Sequence, residues 1–193
     1  MCELINSIQS TLQSGPVTKD SLEIILQATK EFIPQLQDEL CCQDWKAGRY
    51  MLYKDPKYGF VIMMLVWGMG DATPIHAHGT WGVEAVIKSS VRVTSYTACQ
   101  VNPCVREVVD LKAGDVAYVL PPDEDVHVVA QLGGLPAITV HIYGKELVEN
   151  IVFSPGSGYR ALPVSCSKVK TNLFDFSTWQ SAEVHTCRET SFI

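Results

Sequence analysis

Five histidines occur in the 193 residues, His76, His78, His127, His141 and His185, and two of them stand one residue apart in "TPIHAHGTWG". Side chains alternate across an extended chain, so on a strand His76 and His78 project from the same face. Two imidazoles buried side by side are costly unless something accepts their lone pairs, and a divalent cation does so. The competing reading is an ordinary polar alternation on a strand. The surroundings favour the metal. Gly70 opens "GDATPIHAH", and further along "GDVAYVLPPDEDVHVV" brings His127 just past a turn marked by glycine and proline. His127 is a further candidate donor. Three neutral imidazoles leave an octahedral ion with open positions, which suits Fe(II) and oxygen chemistry, although zinc, nickel and copper take the same ligands.

Such a cluster needs a scaffold. The composition, 47% hydrophobic and 19% charged, is that of a globular chain. Its length suits one domain spanning 1–193. A net charge of −6 provides no basic face for phosphates, so no nucleic-acid partner is expected. The most apolar run, "GFVIMMLVWGMG", is about half the roughly 20 residues of a membrane helix, so no membrane partner is expected either. The start, "MCELINSIQSTLQSG", lacks a basic segment followed by an apolar one, and no signal peptide is predicted. Seven cysteines without framework spacing predict reduced thiols and a cytoplasmic protein, a monomer or small homo-oligomer.

Residues 1–45 carry helical periodicity. Leu4, Ile5, Ile8 and Leu12 form one stripe, and a second helix starts near Thr18 with Leu22, Ile25, Leu26 and Phe32. Pro34 is expected to kink or divide it. From 46 to 145 the texture changes to short runs rich in β-branched and aromatic residues: "RYMLY", "FVIMMLVW", "VEAVIK", "VRVTSYTA", "REVVDL", "VAYVL", "VHVVAQL" and "AITVHIY". Separated by turn signals, they predict a mainly β barrel or double-sheet jelly roll behind N-terminal α-helices. Residues 146–193 show no clear period and are expected to wrap the barrel.

The two-part pattern, glycine then His-x-His and glycine–proline–histidine, resembles the metal-binding halves of the cupin double-stranded β-helix, which implies His76, His78 and His127 as the metal ligands. Several motifs, in order from Gly48 to Tyr143, further resemble the cysteine dioxygenase family of cupin thiol dioxygenases. "GRYMLY" resembles the segment bearing the family's carboxylate-binding arginine, which implies that role for Arg49. "LVWGMGDATPIHAHGTWG" resembles the first metal segment, particularly of bacterial members, where Trp and Gly follow the histidines; Trp81 is carried over as a substrate-binding residue. "TVHIY" resembles the Ser-x-His-x-Tyr triad and implies catalytic roles for Thr139, His141 and Tyr143. On one strand these three side chains share a face, so Thr139 can set the tautomer of His141, and His141 can orient the Tyr143 hydroxyl.

The sequence departs from the pattern in three places. Gly82 stands where most cupins have a glutamate ligand and near where vertebrate cysteine dioxygenases carry a cysteine cross-linked to the tyrosine, so Tyr143 should be unmodified. Thr139 replaces the triad's serine. Glu84 replaces an apolar residue, and is either a substrate contact, a fourth ligand or a buried carboxylate of the barrel. The resemblance implies Fe(II) as cofactor, O2 as co-substrate and a small carboxylated thiol as substrate. L-cysteine, oxidised to cysteine sulfinic acid, comes first. 3-Mercaptopropionate follows, although its bacterial enzymes typically have glutamine where Arg49 stands. Other cupin metal chemistry, or a non-catalytic sensor of small molecules, are the rivals from different classes.

Overall fold

The computed structural model describes residues 1–97, 103–122, 124–154, 158–164 and 186–187. Two helices lead the chain, α1 (Cys2–Gln13) and α2 (Lys19–Leu40). Thr18 caps α2: its hydroxyl accepts from the Ser21 amide, and the Ser21 hydroxyl accepts from the Thr18 amide. Contrary to expectation, Pro34 lies inside α2 without dividing it. Pro34 is exposed, so the carbonyl it leaves unbonded faces water, while Phe32, Ile33, Leu36 and Leu40 hold the helix down.

Among the described residues twelve strands follow: β1 (Gly48–Lys54), β2 (Val61–Trp67), β3 (His76–Ala77), β4 (Gly82–Lys88), β5 (Ser90–Tyr96), β6 (Val105–Lys112), β7 (Val116–Val119), β8 (His127–Leu132), β9 (Ala137–Tyr143), β10 (Glu149–Ser154), β11 (Gly158–Pro163) and β12 (Thr186–Cys187). They form two antiparallel six-stranded sheets, in the orders β12-β1-β2-β9-β4-β7 and β11-β10-β3-β8-β5-β6. This is the mainly β, double-sheet barrel with N-terminal helices that the sequence predicts. Each of the eight predicted β segments forms a strand. The segment after residue 145 contributes β10 and β11, which extend the second sheet through pairing of β10 with β3. No described helix is long and apolar enough to cross a membrane.

The first sheet is buried on both faces. Residues of β2 and β9 are buried throughout, which explains their continuous apolar runs. Its outer face, with Ile62, Met64, Val83, Ala85, Val140 and Ile142, packs under Ile5, Ile8, Ile25 and Leu36 of the helices. Its inner face, with Met51, Met63, Leu65, Trp67 and Val86, meets Val91, Leu111 and Val129 of the second sheet. The register fixes what shares that inner face. Thr139 pairs with Leu65 and Val86, His141 with Met63 and Glu84, and Tyr143 with Val61 and Gly82.

Candidate metal centre

The segment bearing His76 and His78 is stitched to β8. Thr73 donates its amide to the Val129 carbonyl, its hydroxyl accepts from the Val129 amide, and His76 pairs in register with His127. The His-x-His strand itself is only two residues long, and His78 lies just past its end. The three imidazoles nevertheless converge: one ligand nitrogen from each of His76, His78 and His127 lies within 4.8 Å of the others. All three side chains are buried.

The tautomers follow from the partners. His76 Nδ1 faces the Pro74 carbonyl at 3.1 Å and His127 Nδ1 the Asp125 carbonyl at 2.8 Å. A carbonyl only accepts, so both rings carry hydrogen on Nδ1 and offer a lone pair at Nε2. His78 Nδ1 lies 3.3 Å from the Asp125 carboxylate, close but poorly directed for a hydrogen bond. That carboxylate is fixed by the amides of His78 and Gly79. Burial opposes its charge, but the contacts with His78 and Gly79 outweigh burial and hold Asp125 below the ordinary carboxyl range. Burial, with neighbouring histidines, holds His76 far below the usual imidazole range and brings His127 down to about 4. His76 Nε2 and His78 Nε2 stand 3.1 Å apart. Ring nitrogens converging on one point, two of them with the opposite nitrogen hydrogen-bonded to a carbonyl, suit a divalent cation. The donor set fits a metal. It does not choose among iron, zinc, nickel and copper.

Beside the cluster runs a chain of hydrogen bonds. The Trp67 indole donates to Thr139 Oγ1 at 2.8 Å, Thr139 Oγ1 lies 2.7 Å from His141 Nε2, and His141 Nδ1 lies 3.0 Å from the Tyr143 hydroxyl. An indole can only donate, which gives the chain a direction. If Thr139 passes its hydrogen to His141 Nε2, His141 donates from Nδ1 to Tyr143, and the Tyr143 proton is left to point elsewhere. The opposite polarity leaves the fully buried Thr139 hydroxyl with no further acceptor among the described residues. Burial also pushes Tyr143 above its ordinary range and, with Arg49 and the neighbouring His78 and His127, holds His141 well below the usual imidazole range. The Tyr143 ring sits 4.6 Å from that of His78, centroid to centroid, so the hydroxyl belongs to the metal cluster's surroundings.

Gly82 faces Tyr143 directly. A Cβ there would stand 3.0 Å from Tyr143 Cδ1 and 3.2 Å from Cε1, so a side chain at this position would press on the ring. Glu84, two residues on, pairs with His141 across the strands; its Oε1 lies 3.8 Å from His141 Nε2 and has no hydrogen-bond partner. Its side chain is 12% exposed, and burial lifts its carboxyl from about 4.5 to about 7. Glu84 stands outside the cluster of converging ligand atoms.

Two spaces meet at the histidines. A cavity of about 360 Å³ opens between β4–β7 and β5–β6, with Glu84, His78, His127, His141 and Tyr143 on its wall. On the other side, Arg49, Asn150, Leu147 and Trp67 close around the same histidines, leaving only about 20 Å³. That is room for roughly one water. Arg49 is thus brought to the site, on its narrow side. Trp81 is not: its indole lies over Gly144, where any Cβ would collide with Trp81 Nε1, and it packs toward the helix-side core. His185 lies outside the described residues.

Sequence reasoning missed Asp125, Trp67 and Asn150. "DEDVHVV" offers a signal for Asp125, because a carboxylate two residues before a ligand can reach the segment paired with it. Asn150, whose buried Oδ1 lacks a partner, sits on β10, in a stretch without period.

No protein-family model matches the chain. Solved structures similar to it include a protein from Bacillus halodurans (16% identity, 56% of this chain and 76% of that one, TM-score 0.46). A cupin superfamily protein from Desulfitobacterium hafniense is similar at 12% identity, over 54% of this chain and 84% of that one, with a TM-score of 0.40. Lactobacillus farciminis oxalate decarboxylase in a formate complex is similar at 16% identity, over 57% of this chain and 32% of that one, with a TM-score of 0.44. At such identities and TM-scores these likenesses say nothing of substrate or reaction, and function is read from the site's own residues.

Proposed function

We propose that the chain is a non-haem Fe(II) thiol dioxygenase, adding both atoms of O2 to the sulfur of a small thiol. The observation that carries this reading is the junction of two features: three buried imidazoles converging from His76, His78 and His127, and the Trp67–Thr139–His141–Tyr143 chain ending beside them. Iron held by those histidines would supply a Lewis acid that lowers the thiol pKa and brings thiolate and oxygen within bonding distance. The balance is closed: R–S⁻ plus O2 gives R–SO2⁻, sulfur losing four electrons and the two oxygen atoms gaining them. No other reductant enters.

The protein's own part is positional. The Pro74 and Asp125 carbonyls hold His76 and His127 each in one tautomer, and the Asp125 carboxylate lies beside His78. Tyr143, oriented by His141, supplies a hydrogen-bond donor where charge develops on oxygen. The apolar inner faces of the two sheets keep bulk water from the reacting sulfur. A cytoplasmic setting suits the reaction, and the free thiols of Cys2, Cys41 and Cys42 are compatible with it.

Steady-state oxygen uptake by iron-loaded protein, with L-cysteine, 3-mercaptopropionate and other small thiols, tests the proposal. The expected result is thiol-dependent uptake, with both atoms of ¹⁸O2 appearing in one sulfinate product. An isomerase or another oxygen-independent cupin chemistry predicts no uptake with any thiol, and that result would overturn the reading.

A further inference from the structure

The space beside the histidines lies on the side of Glu84, away from Arg49. The cavity of about 360 Å³ falls within the range of small-molecule sites, whereas the Arg49 side has about 20 Å³ and no room for a carboxylate. Apart from histidines and tyrosines, the titratable side chains on the large cavity's wall are three carboxylates, Glu84, Glu107 and Glu124, and one guanidinium, Arg106. Of these, Glu84 is nearest the chemistry in sequence register, directly across from His141 and two pairs from Tyr143. Its Oε1 is shielded from solvent and lacks a hydrogen-bond partner. A buried acceptor without a donor is unfavourable in the free protein and is satisfied when a ligand brings one.

We propose that Glu84 binds a cationic nitrogen of the substrate, making the preferred substrates aminothiols whose ammonium group lies in the large cavity. The proposal rests on the thiol-dioxygenase reading for the sulfur, and adds the group at the other end of the molecule. It displaces L-cysteine's carboxylate as the main recognition element, because the space recorded beside the residue suited to a carboxylate is about 20 Å³, enough for roughly one water. The raised carboxyl of Glu84 is consistent with this: burial is its cause, and an ammonium would return the charged form to favour.

The test uses an isosteric pair. Cysteamine and 1-propanethiol differ by an ammonium in place of a methyl group. Their binding to iron-loaded protein is measured by anaerobic calorimetry on the wild type and on Glu84→Gln. Cysteamine should lose at least tenfold in affinity in the variant, while 1-propanethiol changes less than threefold. Comparing each thiol with itself cancels differences in thiol acidity and in chelation of the metal by nitrogen. Glu84→Asp should restore part of the cysteamine affinity, and Glu84→Leu serves as the neutral variant should Glu84→Gln fail to fold. An equal effect on both thiols, or none on cysteamine, overturns the proposal, as does tighter wild-type binding of 3-mercaptopropionate than of cysteamine. The two readings fail separately. A Glu84-dependent preference without oxygen uptake from any thiol leaves the ammonium site standing and removes the dioxygenase. Uptake with 3-mercaptopropionate or L-cysteine that is indifferent to Glu84 does the reverse.

Discussion

The same three histidines are approached from two unlike sides. Glu84 faces a cavity of about 360 Å³ framed by β4 and β7, where Gly82, Ala117 and Val119 are small. Arg49 faces about 20 Å³ filled by Leu147, Asn150 and Trp67. The charges are opposite and the volumes differ more than tenfold. A charged residue near a metal centre becomes a recognition element only where space remains in front of it; otherwise it sets the local potential. Here Arg49 lowers the proton affinity of His76 and His141, among several causes, and so helps keep the imidazoles neutral.

The largest expected effect removes what both sides share. His127→Ala should abolish metal retention, read by elemental analysis, and cut thiol-dependent oxygen uptake on the order of a thousandfold or more. Next comes the Glu84 side examined through stability. Its carboxyl is raised from about 4.5 to about 7, so the folded state holds a proton that the unfolded state releases first. That contribution is fully present below pH 4.5 and is lost as pH rises through 7. Glu84→Gln should flatten the pH dependence of the unfolding free energy across this window, by roughly 3 kcal/mol at most. Chemical denaturation at several pH values measures it, and parallel wild-type and variant curves would contradict it.

Asp125→Asn weakens the common floor more gently. Metal affinity, measured by chelator competition, should fall about 10–100-fold, because His78 loses its charged neighbour. Tyr143→Phe touches the wall both spaces share. It should lower kcat roughly tenfold while thiol affinity holds, the signature of a hydrogen bond that strengthens in the transition state. The smallest effect belongs to the narrow side. Arg49→Gln should leave the KM for cysteamine within about threefold, less than 1 kcal/mol. A rise of a hundredfold for a carboxylated thiol, with cysteamine unaffected or poor, would invert the comparison.

Much of this was legible in the residues. Local pattern sufficed for eight of the nine described strands between 46 and 145, because β-branched runs bounded by turn residues have few other uses. It sufficed also for the short spacing of His76 and His78 and for the shared face of Thr139, His141 and Tyr143, since a strand's period of two makes neighbours of alternate residues. Pro34 was misjudged because its cost depends on which way the freed carbonyl faces. Strands β10 and β11 went unseen because they form by pairing with each other, and β10 joins the second sheet at only two positions, against β3.

By itself, then, the sequence determined the barrel class, the three imidazoles and the shared strand face of Thr139, His141 and Tyr143, all properties of short stretches. Only the tertiary structure decided which nitrogens face inward, that Asp125 backs His78, that Trp67 gives the chain its direction, and that Trp81 turns toward the helices. It alone also decided that Glu84 has a cavity before it while Arg49 does not. The physical reason is common to these: volume, tautomer and a buried atom's lack of partner are set by what several distant strands leave between them.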